Sequence, residues 1–387
     1  MARGTALAIA FVAALSGAGR AQQTVDAAAL RAAVTHLSDF DHDARVEAAR
    51  VFRRAPADVA VPILANAVRA NGDEYVRYRA LTLLSGFPSP TTTEVMSSLR
   101  GDKNDRVRMV AYAWLEHNPD PAALPALIAA FNKEPSEFVR PALTRALAAQ
   151  LKDPRARDVL APLVLKGADY FRGGVIEAIG EYGGRFAIAD IASVAELEGP
   201  LQDDAITALG RLGDPAQIGL LAKLQRTAPQ RAQPTLSASL CLLGQACAES
   251  AKYLKETLAF ASSTSGYQPL LRGAVHAQGI LALSGTKGAL DVLLDAGLAA
   301  KTDAVRDTIV LGLGVVALKQ PELILTVLEG RKDLALTIEL FADAFDTLAE
   351  DYEEERFYVV VRRAYWAAPA DSARRRVAEA LISKLEF

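Results

Sequence analysis

The sequence predicts an all-α protein, a solenoid of about ten stacked helix pairs, and three observations carry that prediction. A short motif returns at a nearly fixed interval of about 30 residues, the composition favours helix formers, and Pro or Gly punctuates the chain between apolar stretches of helical period. Of the 387 residues 51% are hydrophobic, 23% charged and only 6% aromatic, with Ala, Leu and Arg recurring throughout. That mixture suits helices better than strands, which draw on β-branched and aromatic residues. The formal net charge of −3 lacks the basic excess that binding to a phosphate backbone needs, so no nucleic acid is expected as a partner.

Residues 1–21 form a unit of their own. Arg3 supplies a positive start and Thr5 to Leu15 is an uncharged apolar run, too short to span a bilayer. Small residues follow, with Gly19 and Ala21 at the −3 and −1 positions of a cleavage site before Gln22. The expectation is a signal peptide over 1–21, a mature solenoid over 22–387, a periplasmic or secreted location, and no membrane span in the mature chain.

The repeat is an acid, two residues and an Arg preceded by an apolar side chain: Glu74-Tyr75-Val76-Arg77, Asp105-Arg106-Val107-Arg108, Glu137-Phe138-Val139-Arg140, Asp169-Tyr170-Phe171-Arg172 and Asp303-Ala304-Val305-Arg306. From Arg77 through Arg108 and Arg140 to Arg172 the three steps are equal to within one position. Weaker copies lie at Asp43 to Val46, Leu201 to Gly210, Leu271 to Gly285 and Arg374 to Leu381. Within a unit apolar residues fall at i, i+4 and i+8, as Val107, Ala111 and Leu115 do before the break at Asn118-Pro119-Asp120-Pro121. One such pair cannot bury its apolar face alone, so neighbours must stack.

Acid-x-Val-Arg at the head of the second helix, Ala four residues after the Val, and a closing Leu-Gly (Leu209-Gly210, with Ile179-Gly180) resemble HEAT repeats, in particular the short bacterial type also seen in phycobilisome-lyase-like proteins. The resemblance covers the mature chain and speaks to fold far more than to function. Gln202 stands where an Arg is due, Thr235 to Gly244 has none, and Cys247 to Tyr267 is long, which leaves the register of the middle units open. In HEAT proteins the acid opens a helix and the Arg pairs with the neighbouring unit, so the resemblance makes Arg77, Arg108, Arg140, Arg172 and Arg306 a structural ladder.

Catalytic and metal chemistry finds little support. His36, His42, His117 and His276 include no pair one helical turn apart. The chain has no His-Glu dipeptide of the kind the di-iron deoxyhypusine hydroxylases repeat, and HEAT-like alkylpurine DNA glycosylases need a basic concave face. Asp39-Phe40-Asp41-His42-Asp43 alternates carboxylates as a calcium loop does, but Ala44 and Arg50 stand where Gly and a chelating Glu belong, so it reads as a capping loop. Glu350 to Glu355 reads as a solvated acidic run. Cys241 and Cys247 have neither metal nor thioredoxin spacing, and either a disulfide or two free thiols fits an exported chain.

What remains is a surface. Positions two and six after the repeated apolar residue point away from the core at 100° per residue, which nominates Tyr78, Met109, Arg145, Glu177, Asp203 and Asp307 as a concave face. Trp114 falls nearer the core. The functional expectation is an exported protein-protein interaction scaffold without cofactor or metal, shaped as an open curved rod on the order of 90 Å long at ordinary helix spacing. The alternative is an enzyme or small-ligand binder with a site assembled across repeats.

Overall fold

The computed structural model describes residues 26–348, 351–385 and 387, and the expected signal peptide lies outside the described residues. Among the described residues twenty-two α-helices follow one another two by two, with short 3-10 turns in several connections. The first helices of each pair are α1 (Ala27–His36), α3 (Ala57–Ala70), α5 (Pro90–Ser98), α7 (Leu124–Phe131), α9 (Pro154–Leu160), α11 (Ile188–Ala195), α13 (Ile218–Thr227), α15 (Cys247–Ser263), α17 (Ala289–Leu298), α19 (Pro321–Leu328) and α21 (Asp351–Ala367). The second helices are α2 (His42–Arg53), α4 (Glu74–Ser85), α6 (Asp105–His117), α8 (Arg140–Ala148), α10 (Asp169–Glu181), α12 (Gln202–Leu212), α14 (Gln233–Leu242), α16 (Gln268–Leu283), α18 (Asp303–Lys319), α20 (Leu334–Leu348) and α22 (Ala373–Lys384).

The second helices stack in unbroken succession from α4 to α20. The Leu-Gly ending of the motif is explained by that stacking: a Cβ at Gly180 would sit 2.8 Å from the Ala208 backbone, and one at Gly210 would sit 2.8 Å from Ser239 Cβ. Glycine lets the backbones of successive helices come together there. Four of the five motif acids, Glu74, Asp105, Asp169 and Asp303, stand at the first helical position, one residue inside the cap, whereas Glu137 lies in the turn before α8. Asp73 caps α4, Asn104 caps α6 and Thr302 caps α18, each accepting from backbone amides. The motif acid adds negative charge to a helix start that is already capped.

Three of the five ladder arginines reach a carboxylate of the following unit. Arg77 pairs with Asp102, Arg108 holds Glu134 through two bonds of 2.9 and 2.7 Å, and Arg306 holds Asp343 at 2.5 Å. The other two depart from expectation. Arg172 donates to the Val164 carbonyl and pairs with Asp169 of its own helix. Among the described residues Arg140 pairs with no carboxylate; its guanidinium lies 5.8 Å from the ring centre of Phe131 and 4.8 Å from that of Phe171. Aromatic faces take the place of the acid: Phe131 ends the first helix of Arg140's own unit, Phe171 lies near the start of the second helix of the next, and Lys166 stands at the interval where Glu134 follows Arg108. The open register is settled by side chains too. Gln202 donates to the Ala195 carbonyl and Gln233 to the Ala228 carbonyl, each the preceding turn of its own unit, much as Arg77 reaches Val68.

Three apolar cores run along the stack, from Leu30 to Ala113, from Tyr112 to Leu240 and from Ala238 to Phe387. The expected open rod is corrected here. Helix α21 turns inward and packs on α4 as well as on α18 and α19, so the two ends of the solenoid meet. Tyr352 at its start belongs to the first core, whereas Phe357 and Tyr358 belong to the third. A helix with aromatics on two faces needs cover on both, and the first repeats supply the second cover. Midway along the chain Cys241 and Cys247 form a disulfide across the turn between α14 and α15. No single described helix is long and apolar enough to cross a membrane.

The ladder yields a prediction. Arg108 and Glu134 are largely buried, so Arg108→Ala strands a carboxylate and is expected to cost about 3–5 kcal/mol. Arg140→Ala removes only stacking on two rings and is expected to cost about 1–2 kcal/mol. Urea unfolding of the two variants checks the ranking; equal losses would mean that the carboxylate partner is immaterial.

Candidate functional site

The nominated concave column does not form one open face, because residues of its own and the next unit cover its N-terminal part. Tyr78 is 5% exposed, its ring 6.0 Å from that of Tyr75 with the Arg106 guanidinium 5.7 Å away. Met109 packs where the first and second cores meet. Asp307 alone of the six is fully open to solvent, and Asp203 is half-buried with a carboxylate oxygen that no hydrogen bond reaches.

Arg145 and Glu177 are brought together in a charged network lining the interior. Glu116 is buried and takes Arg145 through Nε at 2.9 Å and a terminal nitrogen at 2.6 Å, and it also accepts the Tyr182 hydroxyl at 2.7 Å. Arg145 extends to Glu181 at 3.4 Å. Lys319, at the end of α18, crosses the ring to Glu177 at 2.9 Å and Glu181 at 2.8 Å, and Arg211 stands 4.0 Å from Glu177. Burial works against the charges of Glu177, Glu181 and Arg145. For Glu177 the Lys319 ammonium, with Arg145 and Arg211, outweighs it and draws the carboxyl down to about 2. For Arg145 the bonds from Glu116 outweigh it and hold the guanidinium above its ordinary range.

Two groups lack such compensation. Asp204 sits over Gly173, and burial, followed by the charges of Glu177 and Asp203, pushes its carboxyl up to about 6. His276 keeps exposed surface but is surrounded by protein, and burial, then Arg211, lowers it to about 4. Its neutral ring lies with Nε2 3.4 Å from the Thr207 hydroxyl. Sequence reasoning missed Glu116, Lys319, Tyr182 and His276, since the spacings that join them run from 66 to 142 residues and follow no motif.

At the closure, Glu116, His117 and Glu353 bring one donor atom each within 4.8 Å of one another, a spacing a cation can use. Their lone pairs are spoken for. Arg145 and Tyr182 hold Glu116, while His117 at 3.2 Å and Arg356 hold Glu353, so two guanidiniums already supply the positive charge. The set reads as ion pairing, not as a metal centre.

A second surface lies outside, on the edge formed by the loops that lead from first to second helices. Phe138 is 54% exposed and Tyr170, at the equivalent place one repeat later, is 63% exposed, flanking the Phe131–Arg140–Phe171 stack. Leu165 and Leu197, likewise one repeat apart, are also exposed in these loops. The hydroxyl of Tyr170 pairs with Glu137, which keeps it protonated above its usual range. Apolar side chains in repeat register on one edge make a stripe.

The family model for HEAT repeats matches residues 61–148 and 93–180. No curated protein matches the sequence. Among solved structures the chain is similar to YibA of Escherichia coli, with TM-score 0.43 and 19% identity over 57% of this chain and 83% of that one. It is similar also to the CpcE–CpcF complex of phycocyanin lyase from Nostoc sp. PCC7120, with TM-score 0.41 and 18% identity over 67% and 96%. Yeast importin-beta, Kap95p, gives TM-score 0.43 and 12% identity over 92% and 57%.

The raised carboxyl gives a pH prediction. Because the folded pKa of Asp204 lies near 6, above the free value of 3.8, its contribution to stability is full below pH 3.8 and is lost as pH rises through 6. Asp204→Asn is therefore expected to raise the thermal midpoint at pH 7 and to have no effect near pH 3.5. A midpoint lowered at pH 7 would show the ionised carboxylate to be stabilising.

Proposed function

We propose that this HEAT-repeat chain is an exported scaffold for protein-protein contact, acting in the periplasm or outside the cell. The observation that carries the reading is the stripe of Phe138, Tyr170, Leu165 and Leu197 in register on one edge of successive units. Water-exposed apolar groups that repeat with the fold gain most by being covered, and a protein surface covers them without the phosphate charge that the net balance of −3 disfavours. The Arg140 stack beneath holds the stripe rigid, which lowers the ordering cost of binding. Export is supported by Arg3, the apolar run from Thr5 to Leu15 and the small residues before Gln22, and a disulfide at Cys241–Cys247 suits an oxidising compartment.

A second reading has one observation behind it. A cleft of about 790 Å³ lies between the two ends of the solenoid, lined by residues of α2, α4, α18, α20, α21 and α22, and its volume is that of a ligand site.

Two experiments bear on these readings. A photo-crosslinking amino acid at Phe138 in protein made in the periplasm is expected to trap a discrete protein adduct, and Tyr170→Ser with Leu197→Ser is expected to abolish it while leaving the melt within about 1 kcal/mol. An adduct undiminished by those substitutions would exclude the stripe. Intact mass of the exported chain is expected to begin at Gln22; a mass that includes Met1 to Ala21 would remove the cleaved signal from the proposal.

A further inference from the structure

Helix α21 is an unusual occupant of its place. It is the first helix of the last unit, yet it contributes Tyr352 to the first core and packs against α4. Its seat is charge-matched. Glu355 has no exposed surface; its carboxylate accepts from Arg53 Nε at 2.7 Å and from Arg362 of its own helix at 3.1 Å. The Arg53 guanidinium lies 4.7 Å from the Tyr358 ring centre as well. About half a turn earlier, toward the other side of the helix, Glu353 meets His117 at 3.2 Å, and the His117 ring stacks on Tyr352 at 6.2 Å. The floor is Gly86 at the end of α4: a Cβ there would come within 2.8 Å of Glu355 Oε1 and 3.3 Å of Val359 Cγ2.

The fit is close at that point and loose around it. The cleft of about 790 Å³ opens beside Glu354 and Tyr358, and a second of about 410 Å³ opens on the other side, beside Tyr352, Arg356, Val359, Val360 and Arg363. The groove is wider than the helix in it. Its central bond is also a poor source of net stability, since burying a carboxylate and a guanidinium costs much of what their attraction returns. Such a pair specifies which helix may sit there more than it holds that helix in place.

We propose that α21 is a self-ligand: it occupies a groove on α2, α4 and α6 that accepts a partner's amphipathic helix of the same chemistry, one carrying two glutamates two residues apart beside aromatics. Binding of that helix and release of α21 are then one exchange, with Arg53 and His117 reading the carboxylates and Gly86 admitting only a helix pressed flush. The partner's affinity is reduced by the small fraction of molecules in which α21 has left. The groove is separate from the edge stripe, so the two surfaces stand or fall independently.

The test uses the full mature chain and a labelled peptide of residues 351–367 as probe. Reversing the carboxylates in cis, E353K with E355K, is expected to free the groove and raise peptide affinity tenfold or more over wild type, by removal of the self-occupied fraction. Adding G86A to that background is expected to take the gain away. If affinity stays at the wild-type level while X-ray scattering shows the ring opened, the groove does not take a helix and the proposal is wrong. If the opened variant dimerises and the peptide dissolves the dimer, the occupant is the α21 of a second copy and the foreign partner is overturned. Wild-type hydrogen exchange needs no variant to fold: α21 amides are expected to exchange at least tenfold faster than those of α18, and exchange of both only through global unfolding would overturn the latch.

Discussion

A two-helix unit has an apolar flank on each side, and a stack of such units must end somewhere. Each interior pair is covered by its neighbours, as the unbroken packing from α4 to α20 shows, but the first and last pairs have one neighbour only. Terminal units in solenoids usually meet this with a polar outer face. Here the two ends are brought together instead. Tyr352 enters the core of the first repeats while Phe357 and Tyr358, about a turn and a half further on, stay with the last, so one helix covers both ends. The wrapped shape, the enclosed interior and the clefts beside α21 all follow from that solution.

Enclosure then changes what charge means inside. Glu116, Glu177 and Glu181 would be ordinary surface carboxylates on an open rod. Each is matched by Arg145, Lys319 or Arg211, and Lys319 makes its pairs across the ring, so the network resists opening as well as offsetting burial. Closure by α21 and cross-bracing by Lys319 act at different places, the first at α2, α4 and α6 and the second at α10. Release of α21 therefore frees the groove without removing the brace, and the middle units can stay closed while the ends part.

The fold was largely legible because its signal is periodic. An Arg at most repeats, an apolar-Gly close in two units and breaks at Asn118-Pro119 and similar places report local structure, and local structure repeats. What escaped was long-range and happened once. Glu350 to Glu355 looked like a solvated run because charge is visible in a sequence and a partner 302 residues away is not, yet Glu355 is wholly buried against Arg53. Tyr78 points away from its own unit's core, as the helical wheel says, and is buried all the same on a face the wheel leaves for solvent. The Arg140 exception was in principle readable. Lys166 stands at the interval from Arg140 at which Glu134 follows Arg108, a cation in place of the acid, but a ladder read from repetition predicts sameness and hides such substitutions.

The same contrast bears on whether the interior is a reaction site. A general base near neutrality needs a pKa near the working pH and an open path to substrate. His276, lowered to about 4, is neutral at pH 7 but a weak base, and its Nε2 faces the buried hydroxyl of Thr207. Asp204, raised to about 6, is better poised, yet it sits over the Gly173 backbone beside Asp203 and Glu177, whose negative charges disfavour an anionic substrate or transition state. Arg145 and Lys319, the cations that would answer such a charge, are held by Glu116, Glu177 and Glu181. Glu116, Glu177, Glu181, Arg145 and Lys319 are thus committed to one another, whereas Phe138 and Tyr170 on the outer edge leave their rings uncovered.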